Sequence, residues 1–370
     1  MLPAAPVDVD LFADSYATAR ARFSVLARRA GAVRDTHAHP LPGPEGELLA
    51  TDTAWIGPAD AARVLVLQSG LHGVEGFAGS AMQCDALLQF PAPSLPPDTA
   101  LLFVHAINPW GFAWLRRCNE DGVDLNRNFI DFAMPLPENE VYDELAAVLV
   151  PASPPPADAD TRLEAWRVRL GQAGFEAAVS RGQFRHPGGF YYGGRAPSWS
   201  RRILEGIVTG HALRRRDRVI HLDLHTGIGP YGYGELICDH PPDSRGVRLA
   251  RRIFGPSVTE PHLGTSVSGV KEGLVDSWWQ RELGDRLCFL TLECGTASFA
   301  DMLAVLRDEH VLHAAGPVDW TAARTRQVKA ALRAHFCPPG RDWRELVLFR
   351  ARQVVAQAID GLGSADWNLP

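Results

Sequence analysis

Short apolar runs alternate along the chain with segments of helical spacing. Residues 63–68 (RVLVLQ), 100–107 (ALLFVHAI), 218–224 (RVIHLDL) and 286–292 (RLCFLTL) are each leucine-rich or β-branched, and each leads into a polar or glycine-containing segment. That is the pattern of buried strands. Strands this continuously apolar suit a sheet covered on both faces. Between them, residues 77–89, 161–180, 199–213 and 247–253 carry helical spacing. The alternation predicts an α/β fold with a mixed, mostly parallel sheet and helices on both faces. Residues 322–361 read as C-terminal helices with a break at 337–340 (CPPG), and 135–160, containing PASPPPADAD, as a proline-rich surface connection. Strand material lies on both sides of that connection, and no internal repeat is present, so one domain over 1–370 is expected.

Composition narrows the function. The chain has 370 residues, 46% hydrophobic and 22% charged, enough to bury a sizeable core. A formal net charge of -6 argues against nucleic acid or an anionic membrane surface as a partner, because both require a basic face. Nearly all the basic residues are arginines. Lys271 and Lys329 are the only lysines, which fits a compositional bias towards alanine and arginine. Cys84, Cys118, Cys238, Cys288, Cys294 and Cys337 are scattered without a CxxC pair, so neither a disulfide framework nor a cysteine zinc site is indicated. The first residues carry no basic n-region, and no apolar stretch reaches membrane-spanning length. A soluble cytoplasmic protein is expected. The pattern is silent on oligomeric state.

In open α/β sheets ligands bind beyond the carboxyl ends of the strands. After the first apolar run comes SGLHGVEG, with His72 and Glu75 three residues apart and glycines that permit a tight path. The pair could turn towards one cation, or could be a helix-start carboxylate beside a surface histidine. After the third run, alternation places His221, Asp223 and His225 on one face, with His225 at the strand end. His225 is a ligand candidate or a capping histidine, and Asp223 is either its buried partner or a group standing behind a metal ligand. Two histidines, one glutamate and an open position form a common catalytic zinc set.

After the second run come NPWG at 108–111 and RCNEDGVDLNRNF at 117–129. These segments resemble the zinc carboxypeptidase superfamily, and SGLHGVEGFAGSAMQ with HPGGFYYGG is similar to its bacterial branch described as DUF2817. The resemblance spans roughly 64–300. It implies one Zn2+ ion held by His72, Glu75 and His225, with Asp124 orienting His72 and Asp223 behind His225. It also implies that Arg117 polarises the scissile carbonyl, that Asn126 and Arg127 grip a substrate carboxylate, and that Glu293, ending the fourth apolar run, is general base and then general acid. The implied reaction is hydrolysis of an amide next to a carboxylate by metal-bound water, as in a metallocarboxypeptidase, on a peptide or acyl-amino acid. An N-acyl amino-acid or amide deacylase would use the same site. A metal-dependent binding protein without turnover is a third reading.

Further expectations concern individual residues. A pocket tyrosine is sought among Tyr191, Tyr192, Tyr231 and Tyr233. Trp278 and Trp279 are assigned to helix packing, and His310 and His313 to a solvated helix face. His105 could approach the site, His186 and His262 lie in loops that could line it, and residues 264–269 could form a flexible lid.

Overall fold

The computed structural model describes residues 6–150 and 156–368. Residues 151–155 of the proline-rich connection lie outside the described residues. The strands are β1 (Val33–Ala38), β2 (Ala50–Ile56), β3 (Arg63–Ser69), β4 (Thr99–His105), β5 (Arg218–Thr226), β6 (Gly234–Ile237), β7 (Val258–Thr259) and β8 (Leu287–Cys294). They form one sheet in the order β1-β2-β4-β3-β5-β8-β6-β7. The four strands read from apolar runs are its parallel centre, β4-β3-β5-β8. The edges are mixed: β2 runs antiparallel to β4, β1 antiparallel to β2, and β6 antiparallel to β8. These edge strands have no apolar run. β1 (VRDTHA) is largely exposed, and β7 is two residues long.

The helices are α1 (Tyr16–Arg29), α2 (Gly76–Gln89), α3 (Pro109–Ala113), α4 (Glu140–Leu149), α5 (Ala159–Ser180), α6 (Trp199–Gly210), α7 (Arg245–Phe254), α8 (Val275–Leu283), α9 (Phe299–Ala314), α10 (Ala323–Phe336) and α11 (Arg341–Gly363). Alternation along β3 sends Leu65 and Leu67 to one face and Val64 and Val66 to the other. The first face is closed by α1, α2, α7 and α11, through Phe23, Phe77, Leu249 and Val354. The second is closed by α6 and α8, through Leu204, Trp278 and Trp279. A third cluster joins α4, α5, α9 and α10 around Tyr142, Phe175, Leu303 and Phe336, and reaches the site through Val74.

Two helical expectations change. The helix predicted at 161–180 is α5, but Gly171 adopts φ 67° and ψ 165°, so its C-terminal half runs in a new direction along the site. His310 is not on a solvated face of α9. It is buried against the Phe190 ring, with Nδ1 3.2 Å from the Gly188 carbonyl. His313 reaches the buried Glu309 at 3.0 Å. Helical spacing alone could not reveal that the loop at 188–190 and α10 cover this part of α9.

Candidate active site

The loop after β3 is built backbone against backbone. Gly70 takes φ +68°, a left-handed turn that turns the chain out of the sheet. The segment after β4 follows it, with Ile107 N–H donating to Ser69 O at 3.1 Å and Asn108 N–H to Gly70 O at 3.0 Å. Gly73 then passes so close to α3 that a Cβ would stand 2.1 Å from the Gly111 carbonyl carbon. Gly73 and Val74 N–H donate to the Arg117 and Arg116 carbonyls. The polar residues of the NPWG and RCNEDGVD segments hold the opposing wall. Asn108 caps α3 by accepting from Gly111 N–H at 2.9 Å, and Asn119 Oδ1 accepts from Asp121 and Val123 N–H at 3.1 and 2.8 Å.

The geometry brings His72, Glu75 and His225 together. All three are buried, and one ligand atom from each lies within 4.8 Å of the others. His72 Nδ1 is 2.9 Å from Glu75 Oε1 and His225 Nδ1 is 3.0 Å from Glu75 Oε2. The outer nitrogens meet carboxylates: His72 Nε2 is 3.1 Å from Asp124 Oδ1, and His225 Nε2 is 2.8 Å from Asp223 Oδ2. Gln68 Nε2 holds the second Asp223 oxygen at 3.1 Å. A carboxylate at Nε2 favours the proton there, so that with a cation bound each Nδ1 would offer it a lone pair; at His72 the Arg117 Nη2 competes for Nε2 at 2.7 Å. His72 Nδ1 is buried without an aligned hydrogen bond, despite its closeness to Glu75. An inward set of two imidazole lone pairs and a carboxylate fits a zinc-type ion in donor chemistry and number. Burial pushes the Glu75 carboxyl up in pKa, but His72 and His225 on either side hold it well below the usual range.

Arg117 borders this set. Its Nε donates to Asp124 Oδ2 at 3.0 Å and its Nη1 to Glu75 Oε1 at 3.2 Å, while Nη2 lies 2.7 Å from His72 Nε2. The Tyr191 ring covers both Arg117 and Arg127, with its centroid 5.1 Å from each guanidinium carbon. Tyr191 is buried, while Tyr231 and Tyr233 are about half exposed and Tyr192 faces a different surface pocket. Among the four candidates, Tyr191 is the one that lines the site.

Glu293 on β8 is the Cα partner of His225 on β5. Its Oε1 accepts from Ile228 N–H at 3.3 Å. Burial, then the neighbouring Glu75 charge, pushes its carboxyl up to about 8, against the pull of His225. His72, Glu75, His225, Arg117, Asn126 and Glu293 line one cavity of about 240 Å³. Asn126 Oδ1 accepts from Val275 N–H at 2.9 Å. Arg127 does not line the cavity. It is 0% exposed, with Nη1 donating to its neighbour's carbonyl at Asn126 and Nη2 to the Ser180 carbonyl at 2.6 Å.

Several expected neighbours lie elsewhere. His105 is buried on the Phe23 ring with Nε2 2.9 Å from Ser80 Oγ. His221 shares the strand face of Asp223 and His225, but it stacks on Phe289 and packs against Trp279. His186 pairs with Asp143, and His262 lies beside Glu260; neither lines the cavity. Of the stretch at 264–269, Ser266 to Gly269 do line it. Lys271, Asp239 and Thr291 also line the cavity, though the motifs gave no sign of them. For Lys271 the signal was its rarity.

These features define a mixed α/β protein with a buried His-Glu-His set at the strand ends. The chain belongs to the family described as "Protein of unknown function (DUF2817)", whose profile matches residues 12–350. No curated protein matches it. Among solved structures, carboxypeptidase A from Helicoverpa armigera is 16% identical, with 86% of this chain and 73% of that chain covered, at a TM-score of 0.48. Succinylglutamate desuccinylase from Chromobacterium violaceum is 18% identical, covering 86% and 74%, at 0.38. Bovine thrombin-activatable fibrinolysis inhibitor is 11% identical, covering 92% and 97%, at 0.42. Likeness at this level fixes neither activity nor substrate. No helix among the described residues is long and apolar enough to cross a membrane.

Proposed function

We propose that this protein is a zinc-dependent hydrolase that cleaves an amide bond next to a substrate carboxylate. The observation that carries the reading is one cavity holding a buried His72–Glu75–His225 set with Glu293 on the adjoining strand. Zinc held by those three residues supplies Lewis acidity to a carbonyl and to water. Glu293, half-buried beside its strand neighbour His225, takes the proton of the attacking water and delivers it to the leaving amine. Burial and then the Glu75 charge favour the neutral form of Glu293, and a dication held by the three ligands would offset that charge. Arg117 supplies N–H donors to the oxyanion from a position fixed by Asp124. Asp124 and Asp223 keep the imidazoles in the inward-facing tautomer. Tyr191 seals one wall against water.

Two substrate readings share this chemistry: a metallocarboxypeptidase acting on peptides, and a deacylase acting on N-acyl amino acids. A neighbouring cavity shares Glu176, Ile228, Val267 and Phe299 with this one, so the volume of about 240 Å³ leaves room for both. The test is purification, removal of metal with a chelator, and assay against blocked dipeptides and N-acyl amino acids before and after zinc is restored. Product identity separates the readings: a released C-terminal amino acid, or a carboxylic acid with a free amino acid. Glu293→Gln that keeps full turnover on every cleaved compound overturns the assignment.

A further inference from the structure

The residue expected to grip a substrate carboxylate is sealed away. Both terminal nitrogens of Arg127 are bound to backbone carbonyls, Tyr191 covers its plane, and Gly182 and Gly273 press against it so closely that a Cβ at either would collide. A different cation faces the cavity. Lys271 lines it together with Asn126, Glu293 and Asp239, and among the described residues it makes no hydrogen bond or ion pair. The contrast with Lys329 is informative. That second lysine is fully engaged, with Nζ 2.6 Å from Glu309 Oε1. In a chain that uses arginine almost everywhere, one of two lysines therefore stands unpaired in the cavity.

We infer that Lys271 anchors the substrate carboxylate, in the place that the motif resemblance gives to Arg127; the inference rests on the proposed amide-hydrolase reading. The half-buried Lys271 ammonium feels Asp239 and Glu293 only through space, and a substrate carboxylate at hydrogen-bond distance supplies the direct contact that neither gives. Burial and then the Arg127 charge push the ammonium down to about 8, while Asp239 and Glu293 help to keep it protonated. A lysine suits the task because its compact charge sits on a flexible stem and can follow a ligand, whereas the fork of Arg127 is fixed by the backbone. Asn126, whose Oδ1 is held by Val275 N–H, contributes its amide group on the same wall.

The experiment measures binding apart from turnover. Zinc-loaded Glu293→Gln protein is titrated by calorimetry with N-acetyl amino acids and with the matching C-terminal carboxamides, with and without Lys271→Gln or Lys271→Arg. Zinc content and thermal melting establish that each variant is folded. The expected result is that the acids bind better than the amides, that Lys271→Gln weakens acid binding about 10- to 100-fold while leaving the amides unchanged, and that Lys271→Arg restores part of the preference. Equal discrimination with and without the Lys271 amine overturns the inference, as does failure of every acid to bind. Acid preference that depends on Lys271, in a wild-type protein that hydrolyses none of the compounds, supports the anchor and overturns the hydrolase reading instead.

Discussion

His225 and Glu293 are direct neighbours across the parallel strands β5 and β8, so both side chains leave the same face at the carboxyl ends. The inferred ion site and the inferred base are thereby set by sheet register, not by a loop. A shift of one residue in either strand would turn one of them to the opposite face.

That arrangement separates two effects in mutants. His225→Ala removes a ligand, and the protein should lose its zinc after dialysis against a weak chelator. Glu293→Gln should retain zinc while turnover falls about 100- to 10,000-fold. Metal analysis beside rate measurement checks the pair. Metal loss in Glu293→Gln would place that carboxylate among the ligands.

Asp124 and Asp223 stand behind the two imidazoles. Asp223→Asn should weaken zinc binding about 10- to 100-fold, measured by competition with a chromogenic chelator. Asp124→Asn should do the same and also release Arg117, so its turnover should fall further than metal occupancy explains.

Binding of an acid probe should fall as pH rises through about 8, where the Lys271 ammonium loses its proton. The sign follows from the cation being the binding form and lying on the acidic side. The carboxamide probe should show no such decline. Calorimetry from pH 6.5 to 9.5 checks this, and parallel curves for the two probes would exclude Lys271 as the cause.

Stability should decline as pH falls from about 6.5 to 4. Burial pushes His105, His240 and His310 each down to about 4, so in this window the unfolded chain holds protons that the native state lacks. The contribution is present above the unfolded value and lost on the acid side. A denaturant midpoint that stays level between pH 7 and 5 would contradict this.

Glu309 ties three basic groups under the site: Arg116 at 2.7 Å, Lys329 at 2.6 Å and His313 at 3.0 Å. Burial pushes its carboxyl up in pKa, and the charges of Arg116 and Lys329 overcome that and hold it well below the usual range. Glu309→Ala leaves the two cations buried without their anion and should cost about 3–5 kcal/mol in denaturant unfolding. A loss below 1 kcal/mol would show that water reaches the cluster.

The central strands were legible because burial on both faces writes a continuous apolar run, as in RVLVLQ and RLCFLTL. β1 was not, because an edge strand needs no such run, and β6 was not, because its four residues (GELI) are too few to write one. Local spacing of His72 with Glu75 and the strand-end positions of His225 and Glu293 only suggested the candidate metal set; the resemblance carried by 108–129 singled it out. Arg127 shows the limit of that approach. Its place in the LNRN segment names a role, but the carbonyls that occupy its guanidinium are Asn126 and, 53 residues away, Ser180. Lys271 lies in a loop with no motif, and only three-dimensional closure brings it to Glu293.

The near-contact of Gly73 with Gly111 has a consequence for anyone wishing to move this site. The His72–Glu75 turn is shaped by the backbone it lies against, so it is not a portable cassette. A transplant into another scaffold would have to carry the 108–124 segment with it, as two interlocking halves of one part.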